Sequence, residues 1–238
     1  MAATDRAFRA LGRDEPDTLL ALVRSLAPDL LPPSLASSAG PLSSVDPRLD
    51  TPDPSREVDL ALAERDGPLL WHIEGQGYRE PAYLDRVFYY HLGLVLRYRH
   101  REVRTLTLWL RVPSAQERVP LLRKGSVSVL VTHLVLPEAK ASRLVCDERT
   151  ACFAPAADDE GRGDWVVCQQ TVAVLRDSGA SLRRWQMAAV AARARSEKRY
   201  HAMVRVMEEA GVQSVIIEDL IHIGEEFGLG VAPLRPEG

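Results

Sequence analysis

Residues 56–76, "REVDLALAERDGPLLWHIEGQ", decide how this chain is read. Two β-compatible runs, 58–64 and 69–75, flank "RDGP", a strong turn signal. A reversal centred between Asp66 and Gly67 places Leu60 opposite Ile73, Leu62 opposite Trp71 and Asp59 opposite Glu74. Side chains alternate along a strand, so the apolar pairs share one face. Asp59, Ala61, His72, Glu74 and Gln76 share the other. Directly opposed Cβ atoms lie ~5 Å apart, and like charges there are destabilising. A divalent cation between the carboxylates is the simplest reason for such a pair. The alternative is a different register, or two solvated charges on an exposed hairpin. With the acids this close, one carboxyl is expected to hold its proton more readily than an isolated acid does.

Outward from the hairpin, "PAYLDRVFYYHLGLVLRYRH" (81–100) has apolar residues at helical spacing. "VRTLTLWLRV" (103–112) and "SVSVLVTHLVL" (126–136) alternate as strands. On the N-terminal side, 4–12 and 17–31 read as helices, with Asp17 as the N-cap of the second. Residues 32–55 hold six prolines and read as loop with room for one short strand. Strand, strand, helix, strand, strand predicts an α/β domain with a mixed sheet flanked by helices. Residues 1–136 form its core. Residues 137–178 read as a strand and loop extension, with "WVVCQQTVAVL" (165–175) as the strand. Residues 179–238 read as a C-terminal helical segment: one helix from Ser181 to Ala210, a break at Gly211, and a last helix over 213–227.

The chain has 238 residues and a net charge of −3, so any nucleic-acid affinity must come from local basic patches. Three cysteines are too few for a disulfide framework and fit a reducing compartment. The charged start has no signal-peptide core, and no run reaches the ~18 apolar residues of a membrane span. A cytoplasmic protein with no membrane partner is expected. His133, Cys146, Cys152 and Cys168 contain no C-x2–4-C pair, which argues against zinc. Glycine-rich phosphate loops and a G-x-S-x-G elbow are absent from the sequence.

"EVDL" (57–60) and "HIEGQ" (72–76) resemble the PD-(D/E)xK nuclease superfamily, and within it the transposase-like, recombination-promoting nuclease group. That group has a "D-L" strand, a turn, and an "hIE-x-Q" strand where most of the superfamily has "E-x-K". The group also places an Arg and a Tyr on a helix before an apolar strand; Arg86, Tyr90 and "TLTLWLRVP" match. "DRAFRAL" is similar to its opening helix. The resemblance spans about residues 4–135. It implies a restriction-endonuclease-like fold and a Mg2+- or Mn2+-dependent DNA endonuclease. In it Asp59 and Glu74 hold the metal, the Gly75 carbonyl completes the shell, and Gln76 orients the attacking water. Gln76 stands where most of the superfamily has lysine. It brings a hydrogen bond and no positive charge.

Asp5, His72, Arg86 and Tyr90 are the supporting candidates; each also reads as a cap or as ordinary packing. Arg97, Arg99, Arg101 and Arg104 cluster in "RYRHREVR". Arg183, Arg184, Arg193, Arg195, Lys198, Arg199 and Arg205 crowd 183–205. These segments are the candidate DNA contacts, against a bland reading as solvated faces or an oligomer interface. Two further functions stand beside the nuclease: a silent scaffold or regulatory protein that keeps the fold, and a DNA-binding protein that does not cleave.

Overall fold

In the computed structural model, residues 3–31, 42–46, 58–65, 67–213 and 216–218 are described. Two helices open the chain, α1 (Ala3–Asp14) and α2 (Pro16–Leu26), and a 3-10 turn follows at Pro28–Leu30. The strands are β1 (Leu42–Ser44), β2 (Leu60–Glu64), β3 (Leu69–Gln76), β4 (Glu102–Trp109), β5 (Leu121–Lys124) and β6 (Val127–Val135). Helix α3 (Tyr83–Arg97) connects β3 to β4. Beyond the sheet come α4 (Ala141–Leu144), a 3-10 segment (Ala151–Ala156), α5 (Asp164–Asp177), α6 (Leu182–Arg195) and α7 (Glu197–Glu209).

The described strands form one mixed sheet in the order β1-β2-β3-β4-β6-β5. β3, β4 and β6 run parallel, and the outer pairings are antiparallel. The fold is therefore α/β with a mixed sheet flanked by helices, as the pattern predicts. The hairpin register is also as expected, with Leu60 opposite Ile73 and Leu62 opposite Trp71. Among the described residues no helix is long and apolar enough to cross a membrane.

Period two sends the two faces of the sheet into different surroundings. Leu60, Leu62, Trp71, Ile73, Leu106 and Leu108 enter the main hydrophobic core, which they share with α1, α2 and the helices beyond residue 140. The opposite face lies under α3. There Val87 and Phe88 pack with Trp109, Val129 and Val131, and Tyr90 and Leu94 pack with Ala61, Ala63 and Leu70. Helix α1 is pressed tightly onto the hairpin. A Cβ at Gly12 would lie 2.2 Å from Leu60 Cδ1, and one at Gly75 would lie 2.7 Å from the Phe8 ring. Glycine at both positions allows this approach.

Several sequence expectations need correction. The stretch 165–175 is helix α5, not a strand. Its valines favour strand by propensity, but Val167, Cys168, Thr171, Val172 and Leu175 recur at helical spacing and all are buried. The helix read from Ser181 to Ala210 is two helices. Ser196 is extended (φ −170°) and its hydroxyl accepts the Arg199 N–H at 3.0 Å, capping α7. Asp17 sits in the first turn of α2 and is not its N-cap, because Pro16 occupies the first helical position. The short strand allowed for in 32–55 is β1, and β5 is a strand the pattern did not reveal. Of the last predicted helix, 213 and 216–218 lie among the described residues; 216–218 are helical and 213 is not.

Arg199, expected to face DNA, is 1% exposed. It donates to Asp164 (2.6 Å), Asp159 (3.2 Å) and the carbonyls of Pro155 and Ala157, tying α7 to the first residue of α5 and the segment before it. Arg199→Met keeps the bulk and removes the charge. It strands two carboxylates and two carbonyls, at a cost of about 3–5 kcal/mol. Denaturant unfolding should show this loss; a variant as stable as the wild type would remove Arg199 from the account of the fold.

Candidate active site

The row of side chains beneath α3 is polar. β3 contributes His72, Glu74 and Gln76, and β4 contributes Thr105 and Thr107; none is more than 3% exposed. Helix α3 turns Tyr83, Arg86, Tyr90 and His91 toward them at helical spacing. Buried polar groups need partners, and nearly all of these have them. The Tyr83 hydroxyl bonds Thr107, and burial pushes the Tyr83 pKa up.

Glu74 is completely buried. Its Oε1 accepts from His72 Nε2 at 2.9 Å and from the Asp59 backbone N–H at 3.2 Å. Its Oε2 accepts from Arg86 Nη2 at 3.2 Å, and Arg86 also pairs with Glu80. An ionised carboxylate only accepts, so His72 holds a proton on Nε2. Asp59, 6% exposed, stands where β2 begins. Its Oδ2 accepts the Gly75 backbone N–H at 3.0 Å. Its Oδ1 accepts both Nε and Nη2 of Arg9, at 3.1 and 2.8 Å. The two acids are thus clasped by each other's stretch of backbone, and each takes an arginine from a different helix.

Burial alone pushes the Glu74 carboxyl up. The His72 hydrogen bond and charge, the Arg86 charge and the Asp59 N–H outweigh it and hold the carboxyl below the ordinary carboxylate range. The expectation of a readily held proton is therefore wrong for Glu74. It considered the two acids alone, and the fold supplies cations to both.

From His72 a chain of hydrogen bonds runs across this face of the sheet to α3. His72 Nδ1 meets Thr105 Oγ1 at 3.2 Å, and Thr105 Oγ1 meets His91 Nδ1 at 2.8 Å. His91 and Thr105 line a cleft of about 450 Å3 where β4 and β6 diverge. At the other end of the row, the segments after β3 and β4 line a second cleft of about 390 Å3, with Arg79, Glu80, Tyr83 and Glu117 on its walls. Clefts at the carboxyl ends of parallel strands are the usual ligand sites of open α/β sheets.

Gln76 breaks the rule of satisfaction. It is 1% exposed, and neither its amide oxygen nor its nitrogen has a partner among the described residues. An unsatisfied buried amide costs free energy unless a water, ion or ligand joins it.

Of the other predicted residues, Arg86 joins the site directly, and Tyr90 packs edge-on against His72. His72 is buried and engaged on both nitrogens, so it orients Glu74 and does not reach a phosphate. Asp5 lies on α1, and its side chain is outside the described set. The basic candidates have largely structural tasks. Arg97 pairs with Asp46, and Arg101 donates to the carbonyls of Glu64, Gly67 and Leu69. Arg183 pairs with Asp14 and Arg184 with Glu15, joining α6 to the junction of α1 and α2. Arg193 and Arg195 are half-buried, and Arg99 and Lys198 are exposed. Arg9 is the site residue that sequence reasoning missed; only its place on the "DRAFRAL" helix pointed toward it.

No protein-family profile, curated protein or solved structure matches this chain. A metal must therefore be judged on the donors themselves. Among the described residues no group of three or more His, Cys, Asp or Glu has metal-holding geometry. The oxygens a hard divalent ion would draw on here are Glu74 Oε2 and Asp59 Oδ1, held by Arg86 and Arg9, beside the Gln76 amide oxygen.

The His72–Thr105–His91 chain has a pH signature. Burial, then the charge of His72, lowers the His91 pKa from its ordinary 6.5 to about 4. Folded His91 stays neutral where the unfolded chain takes a proton. Its contribution to stability is complete above about pH 6.5 and is lost as pH falls toward 4. His91→Asn keeps a hydrogen-bonding group toward Thr105 and removes this titration. The loss of unfolding free energy between pH 7.5 and pH 5 should be smaller in the variant, by urea denaturation; an equal loss would contradict the assignment.

Proposed function

We propose that the chain is a divalent-metal-dependent phosphodiester hydrolase that acts on DNA. The observation that carries this reading is the unpartnered, buried Gln76 amide on the same strand face as a buried, ionised Glu74, with Asp59 bonded to the same stretch of backbone. Asp59 at the start of β2 and Glu74 and Gln76 near the carboxyl end of β3 bring two carboxylates and an amide together, at the end of the sheet where Glu80 and Tyr83 line a cleft. The resemblance of "EVDL" and "HIEGQ" to the recombination-promoting nucleases supports the choice of substrate.

Glu74 and Asp59 would hold Mg2+ or Mn2+, with Gln76 beside the ion. Bound there, the ion would lower the pKa of a water and offset charge developing on the phosphoryl oxygens. His72 and Arg86 keep Glu74 ionised and aimed. The Gly75 N–H fixes the Asp59 carboxylate. The Gln76 amide N–H is left to orient a water. Arg79, on the cleft wall, supplies positive charge for a phosphate backbone, with exposed Arg99 and Lys198 elsewhere on the surface.

A second reading has an observation of its own. Arg9 and Arg86 neutralise the two carboxylates from within, as suits a silent scaffold. Plasmid cleavage with Mg2+ and Mn2+ separates the two. Asp59→Asn and Glu74→Gln weaken the ion itself and should each slow cleavage about a hundredfold or more, about 3 kcal/mol of barrier. Gln76→Ala should cost less. Gln76→Lys should retain or raise the rate. Thermal melts control for folding. Wild-type cleavage that survives Glu74→Gln undiminished would place the activity elsewhere, and no cleavage by any form would favour the scaffold.

A further inference from the structure

Each carboxylate oxygen offers about two lone-pair sites. Arg9 directs Nε and Nη2 at the same oxygen, Asp59 Oδ1, at 3.1 and 2.8 Å, while the Gly75 N–H fixes Oδ2 at 3.0 Å. An ion cannot bond Oδ1 while both Arg9 contacts stand. Glu74 Oε2 is different, since Arg86 reaches it through a single contact at 3.2 Å. Arg86 is also held by Glu80 and lies over the Tyr83 ring at 5.9 Å. Arg86 can therefore stay where it is, and Arg9 must yield. The α1 backbone cannot withdraw easily, because Phe8 is seated against Gly75 and Gly12 against Leu60. What moves is the Arg9 side chain, which is 18% exposed. Once displaced it remains tethered beside the ion, and its planar fork matches phosphate oxygens.

We propose that Arg9 is an exchangeable phosphate-binding residue: it holds Asp59 Oδ1 until a divalent ion takes that oxygen, and then binds a phosphate oxygen next to the ion. This rests on the metal-site reading of Asp59 and Glu74. Calorimetry of the full chain tests it, with Mn2+ first and then inorganic phosphate added to Mg2+-saturated protein. Wild type, Arg9→Gln, Arg9→Lys and Glu74→Gln are compared. Removing the competing cation should tighten Mn2+ binding by Arg9→Gln about tenfold, and losing the fork should weaken phosphate binding about tenfold. Arg9→Lys keeps the charge without the fork and should fall between on both; it carries the test if Arg9→Gln does not fold. Unchanged or weaker Mn2+ binding by the Arg9 variants, or unchanged phosphate binding, overturns the proposal. In that case the metal site itself still stands if wild type binds Mn2+ and Glu74→Gln does not. If neither wild type nor the Arg9 variants bind Mn2+ at millimolar concentration, both readings fall.

Discussion

An ionised carboxylate with no exposed surface governs this structure. Leaving water costs such a group several kcal/mol unless charge and hydrogen bonds replace its hydration. Glu74 receives that replacement from three directions: His72 on its own strand, Arg86 on α3, and the Asp59 backbone across the hairpin. Asp59 in turn draws on Gly75 and on Arg9 of α1. The requirement to stabilise two adjacent acids thus fixes how both layers of helix meet the sheet. α3 must bring an arginine down on one side, and α1 must bring one over the end of β2.

The site is also joined to the C-terminal helices. α1 carries Arg9 at one place and pairs with α6 through Asp14–Arg183 at its end, where Glu15, the next residue, pairs with Arg184. Apolar residues of α5, α6 and α7 share the core into which Leu60, Trp71 and Ile73 point. A change at the end of α1 can therefore act on Asp59 through a helix held at several points. The Arg-rich stretch 183–199 serves this assembly more than a surface. That is why a charge pattern suggestive of phosphate binding resolves, for Arg184 and Arg199, into ion pairs within the fold, while the Arg183–Asp14 pair stays half exposed.

The hairpin was legible because three local signals agree. Apolar residues alternate on both sides of "DG", the runs match in length, and the acids fall at symmetric positions. The helix from 83 to 97 was legible for the same kind of reason. What the sequence concealed depends on contacts between distant residues. Nothing near Arg9 shows that it reaches Asp59, fifty residues away in the chain. The valines of 165–175 suggest a strand until the core they pack against is known. Ser196 looked like one more helical residue, and only its extended backbone shows it ending one helix and capping the next.

Crystals soaked in Mn2+ and measured at the manganese absorption edge test the central claim most directly. The account predicts one anomalous peak about 2.0–2.2 Å from Glu74 Oε2 and Asp59 Oδ1. Gln76 should have joined the ion or its water, and Arg9 should have moved off Oδ1. Crystals without a peak there, with Arg9 still on Asp59 Oδ1, would contradict it.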